Sequence, residues 1–185
     1  MMINSYGHEN KPEGFVFCSY SQLWITLLGI VVFISLRNSC KFLRPLIMSI
    51  VPTKGKVGEP ISEEERVEIS EKIEGHIFNA TVYTISSVWG YMVCKDKDWY
   101  PWYLGGHGDP ANGFINLPFV EDDQVVLFYG LFQFGFRIES LISHVIIAER
   151  GNDFEEMLLH DGLTCFLFFG FLFSNFLPGG TMIII

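Results

Sequence analysis

The chain has 185 residues, a single-domain length, but its composition is not that of a water-soluble domain. Hydrophobic residues make up 49%, mean hydropathy is +0.31, and charged residues reach only 18%, against roughly a quarter in ordinary soluble chains. A disordered tail would be polar and highly charged, and a nucleic-acid binder would be basic, whereas this chain is formally −9. Cys18, Cys40, Cys94 and Cys165 are widely separated and match no zinc-finger or redox spacing, nor a disulfide framework. What remains is an all-α integral membrane bundle.

A membrane-spanning helix needs about 20 mostly apolar residues, because its backbone polar groups must be paired internally. In chain order, a lumenal tail (1–14) precedes an uncharged anchor helix over 15–36. A basic linker, 37–64, follows and ends at Ser62-Glu63-Glu64-Glu65, which has the form of a helix start with a capping box. From 65 onward an acidic and basic amphipathic stretch leads without a break into a second span, 75–94. The next loop opens with Trp99-Tyr100-Pro101-Trp102-Tyr103, aromatics suited to the headgroup layer, and goes on through Gly105, Gly106, Gly108, Pro110 and Gly113 as irregular structure. A third span, 125–148, carries Arg137 and Glu139, and a fourth, 157–177, carries His160 and Asp161. Thr181 to Ile185 reads as the opening of a fifth, so the chain is expected to be shortened or sheltered in a larger assembly. Seven of the twelve Lys and Arg lie between the first two spans, which predicts a cytoplasmic linker and a lumenal N-terminus.

Polar residues recur at helical spacing within these spans. His76, Asn79, Tyr83, Ser86 or Ser87 and Gly90 follow one face of the second, and Gln133, Arg137, Ser140 and His144 one face of the third. Asp153, His160 with Asp161, Thr164 and Asn175 do the same around the fourth. Such groups usually face the bundle interior, which predicts a shared hydrated chamber near the cytoplasmic side. Ser86, Asn79 and Ser143 suit plain interhelical hydrogen bonds. Arg137 and Glu139 are two residues apart, so Arg137 is expected to meet a carboxylate elsewhere, Asp161 or Asp153. Among the histidines, His160 beside Asp161 carries the functional weight. A haem or metal site from His76, His144 and His160 is a weaker alternative.

The run Asp153-Phe154-Glu155-Glu156-Met157-Leu158-Leu159-His160-Asp161-Gly162-Leu163-Thr164 resembles the DFxxMxxHHxxT signature of the ceramide synthase (longevity-assurance) family of TLC-domain proteins. Phe128 to Phe136 with Ser140 looks like its YYxxQLGFYxS segment, and Asn175, Gly180 and Thr181 fit its SYxxNxxRxGT element. Glu74 and Pro101-Trp102 are similar to its ExxW and PWF elements. The resemblance covers 65–185 and implies a partial TLC domain in a multi-pass protein of the endoplasmic reticulum membrane. The implied reaction moves a fatty acyl group from acyl-CoA, as co-substrate, to the amine of a sphingoid base, with no resident cofactor or metal. His160 matches the first histidine of the family pair and Asp153 the acid before the motif, which with Asp161 gives the catalytic set. Gln133, Arg137, Ser140, Thr164 and Asn175 then line the substrate. Three departures stand out: Asp161 replaces the second histidine, Glu149-Arg150-Gly151-Asn152-Asp153 replaces a basic KRKD run, and Arg137 stands where the family has tyrosine. The family also continues past Gly-Thr into an LHD motif. A non-catalytic TLC-fold subunit of a membrane complex, with another organelle membrane as its alternative location, is therefore the rival expectation, with a homo- or hetero-oligomer completing the bundle.

Overall fold

The computed structural model describes residues 15–16, 20–53, 59–115, 120–121, 123–147 and 154–174. Among the described residues the regular structure is helical apart from one two-residue antiparallel pairing, β1 (Phe15–Val16) with β2 (Val120–Glu121), and an isolated parallel bridge between Pro101 and Gly108. The helices are α1 (Trp24–Cys40), α2 (Arg44–Ile50), α3 (Glu63–Cys94), α4 (Gln124–Ile147) and α5 (Phe154–Phe173). Among the described residues two helical stretches are long and apolar enough to cross a membrane, Ser21–Ile50 and Gln124–Ile146. Of the other two expected spans, α3 is a helix interrupted by His76, Asn79, Ser86 and Ser87, and α5 is an apolar helix whose charges, Glu155, Glu156 and Asp161, gather in its first half; the expected end of that fourth span, 175–177, lies outside the described residues.

The start of α3 follows directly from its sequence. The Ser62 hydroxyl accepts the Glu65 amide at 3.1 Å, satisfying one of the orphan donors of the first turn. No proline lies between Glu63 and Cys94, so the charged stretch and the apolar stretch form one 32-residue rod despite Gly75 and Gly90. Contacts divide the chain into two units, one of Met1–Val31 with Ser86–Ile185 and one of Val32–Ile85.

The smaller unit is held by cations against carboxylates and a ring. Arg44 Nε donates to Glu74 at 3.1 Å and its Nη1 lies 3.1 Å from Glu71. Arg66 donates to Glu63 and to the Met48 carbonyl, and the Arg37 guanidinium lies 4.2 Å over the Phe78 ring. Phe33, Ile47, Phe78 and Val82 fill its interior.

In the larger unit α4 is the most enclosed helix. Its N-terminus is capped by Asp123, whose Oδ1 accepts from the Val125 and Val126 amides, both at 3.1 Å. Against α1, Gly135 meets Gly29 so closely that a β-carbon on either would lie 2.6 Å from the facing backbone oxygen. The Thr26 hydroxyl donates to the Leu131 carbonyl at 3.0 Å beside this crossing. Against α3, Trp89 packs edge-on to Tyr129 and Phe132 at 5.0 and 5.7 Å. Against α5, Phe134 stacks on Phe168 at 5.6 Å. Many outward side chains of this unit are large and apolar, among them Leu27, Val31, Met92, Val145, Ile146 and Phe166. So many exposed large apolar side chains suit lipid tails better than water.

Candidate functional site

Two polar clusters occupy the faces of α4. The first joins α3: Gln133 Nε2 donates to Ser86 Oγ at 2.8 Å, and the Tyr129 hydroxyl donates to the Ser86 carbonyl at 3.1 Å. Gln133, Tyr129 and Ser86 are all buried. Every strong group here has a partner, so the cluster acts as a bolt between helices, which is the role expected of Ser86.

The second cluster joins α5 and is chemically richer. Ser140 and His144 are one turn apart on α4, so their side chains share a face. Antiparallel α5 brings Asp161 between them. Asp161 Oδ2 lies 2.8 Å from His144 Nδ1 and accepts the Ser140 hydroxyl at 3.3 Å. Both members of the imidazole–carboxylate pair are about four-fifths covered, with side-chain exposures of 19% and 17%. Nearby Ser143 donates to Glu139 at 2.7 Å, one turn back on α4, and Glu139 is buried. Arg137 lies with its guanidinium 5.5 Å from the Phe136 ring centre.

His160, expected in the shared chamber beside Asp161, is exposed on a neighbouring face of α5. The physical reason is the helical step of about 100°, which sends adjacent residues in different directions. The stripe that packs on α4 runs through Asp161, Cys165, Phe168 and Leu172, and His160 is outside it. Its carbonyl accepts the Thr164 hydroxyl at 2.8 Å, so Thr164 caps backbone locally. Asp153 and Asn175 lie outside the described residues. His144, absent from the expected catalytic and substrate-lining set, is the histidine that the structure brings to Asp161. The sequence already shows this placement: His144 follows Ser140 by one turn on a polar face of the third span. Among the described residues no group of three or more His, Cys, Asp or Glu could hold a metal ion.

Residues 72–185 match the family model described as the TLC domain, well over half of the chain. The chain belongs to the TLC-domain family. No curated protein and no solved structure matches it. The TLC domain thus covers most of α3 and all of α4 and α5, and both polar clusters fall inside it. Membership accords with the helical, membrane-associated character read from composition.

Proposed function

We propose that this TLC domain transfers a fatty acyl group from acyl-CoA to the amine of a long-chain base, in the manner of a ceramide synthase, with the His144–Asp161 pair as its acid–base centre. The observation that carries the reading is the carboxylate set against His144 Nδ1 at 2.8 Å between two apolar helices. An ionised Asp161 holds the ring with its proton on Nδ1, which leaves the Nε2 lone pair available. As the neutral amine attacks the thioester carbonyl, Nε2 accepts the amine proton. The C–N bond forms, the C–S bond breaks, and the imidazolium returns that proton to the departing thiolate. Ser140, on the same carboxylate oxygen, limits rotation of Asp161.

The resemblance to ceramide synthases instead gives His160 the leading role, and the two assignments separate by experiment. Purified protein in lipid nanodiscs receives labelled acyl-CoA and a long-chain base, and N-acyl product is measured. His144→Ala and Asp161→Asn are expected to abolish most product while His160→Ala retains it. Loss only in His160→Ala would move the chemistry to the outer face of α5. A second reading, a non-catalytic TLC-fold subunit, is favoured by Asp161 in place of the second family histidine and by the outward His160. Correctly folded protein that forms no product with any base or acyl-CoA would select it.

A further inference from the structure

The described part of the loop between α3 and α4, residues 95–115, is a tightly bonded unit with two opposite faces. Its inner face is sealed into the larger unit, with Tyr100 1% and Trp99 9% exposed. Burial pushes the Tyr100 phenol above its ordinary pKa. The backbone around it is tightly tied. The Gly108 amide donates to the Tyr100 carbonyl at 2.8 Å, and the Asp109 amide and Asn112 Nδ2 both donate to the Asp98 carbonyl, at 2.8 and 2.9 Å. Gly108 sits so near the Asp98 carbonyl that any β-carbon there would overlap it, and Gly105 takes φ 87°, a left-handed value. This is a fixed scaffold.

The outer face is the opposite in character. Trp102 is 76% exposed, Tyr103 63%, Phe114 61% and Ile115 60%. Water gives no reason to hold such rings outward on a rigid frame. The loop's level on the bundle is also fixed. Lys97 pairs with Asp123, the cap of α4, so the loop is fastened at the point where the span Gln124–Ile146 begins. Gln22 reaches Gln124 at 3.5 Å, which sets the start of α1, and with it the 57%-exposed Trp24, at the same end. Val125, the next residue of α4, is itself 60% exposed and apolar.

We propose that this loop is an interfacial seat, with Trp102, Tyr103, Phe114 and Ile115 resting in the headgroup and upper acyl layer of the bilayer, level with Trp24. Indole and phenol suit that layer because each has an apolar body and a polar tip. A rigid seat sets the depth of α4, and therefore of everything α4 carries, independently of the acyl-transfer reading. The occupant is lipid because the patch lies where α4, long and apolar enough to cross a membrane, begins, beside the exposed Trp24 and Val125.

The test reads Trp102 as the difference between wild-type and Trp102→Phe emission, using full-length protein in phosphatidylcholine nanodiscs. The expected component is blue-shifted and shielded from iodide. It loses roughly half its intensity when the lipids are brominated near the glycerol end of their chains, as a ring at the interface should. Bromine at the chain ends is expected to quench it far less. An emission typical of indole in water, quenched by iodide and indifferent to brominated lipid, overturns the proposal. So does stronger quenching by chain-end bromine, or protection that appears only with a second protein present. Phe114→Trp in the Trp102→Phe background repeats the measurement at the other end of the patch and guards against a local effect of one substitution.

Discussion

Replacing Gly135 by alanine offers a sharp test of the α1–α4 contact. The new β-carbon would lie 2.6 Å from the Thr26 carbonyl oxygen and 2.9 Å from both the Gly29 Cα and the Ile30 nitrogen. Comfortable contacts between carbons are about 3.5–4 Å, so the helices must part by roughly half an ångström or more. Overpacking of that kind costs about 1–3 kcal/mol. Separation also stretches the 3.0 Å hydrogen bond from Thr26 to Leu131, worth about 0.6–1 kcal/mol in a membrane protein. Alanine returns about 1 kcal/mol through helix propensity, so the net destabilisation is about 1–3 kcal/mol. Gly130, less than two turns away on the same helix, is the control, because a methyl there meets nothing within 4 Å. Gly130→Ala should stabilise by up to about 1 kcal/mol. Equilibrium unfolding in mixed micelles titrated with dodecyl sulfate, followed by circular dichroism, measures both. Equal stability of the two variants, or the reverse order, would refute the close crossing.

Three other outcomes are expected. Asp161→Asn and His144→Ala should each lower acyl transfer by about a hundredfold to ten-thousandfold at saturating substrate, the usual range for a lost general base; an unchanged turnover number removes the pair from the mechanism. Burial alone would raise the Asp123 carboxyl, but hydrogen bonds from Lys97 and from the Val126 and Val125 amides, with the Lys97 charge, outweigh it and hold the group below its ordinary value. Its contribution is therefore complete above the ordinary carboxylate range and is lost as pH falls through the lowered folded-state value. Melting temperature against pH should show a shallower acid limb in Asp123→Asn than in wild type, and identical limbs would contradict the assignment. Arg44→Ala should destabilise the protein by about 1–2 kcal/mol, since Glu74, with a side chain only 9% exposed, loses its ion partner. Adding Glu74→Gln should recover part of that loss in the same unfolding assay.

Much of this architecture is legible in the chain itself. The Ser62 cap, the unbroken passage from charged to apolar sequence in α3, and the polar stripe of α4 all follow from spacing. Spacing places Ser140 and His144 on one face, and the structure finds Asp161 opposite them. The facing of His160 was not legible. Almost every position after Asp161 on α5 is Leu, Phe, Cys, Gly or Thr, so the helix is apolar all round and nothing in its pattern distinguishes an inward stripe from an outward one. Only packing against Phe134 and its neighbours decides that Asp161, and not the residue before it, turns toward α4. The glycine crossing escaped for a similar reason: two isolated glycines in separate apolar helices reveal their pairing only once register is known.

The position of α4 has a consequence for biosynthesis. Its three docking partners are encoded at different times: Thr26 and Ser86 are synthesised before it, Asp161 after. A nascent α4 therefore leaves the ribosome with two neighbours ready to receive it, while Ser140 and His144 await a carboxylate that has yet to be translated. Chains arrested before α5 should hold α4 in place and still leave that imidazole uncommitted, a state for quality-control machinery to recognise.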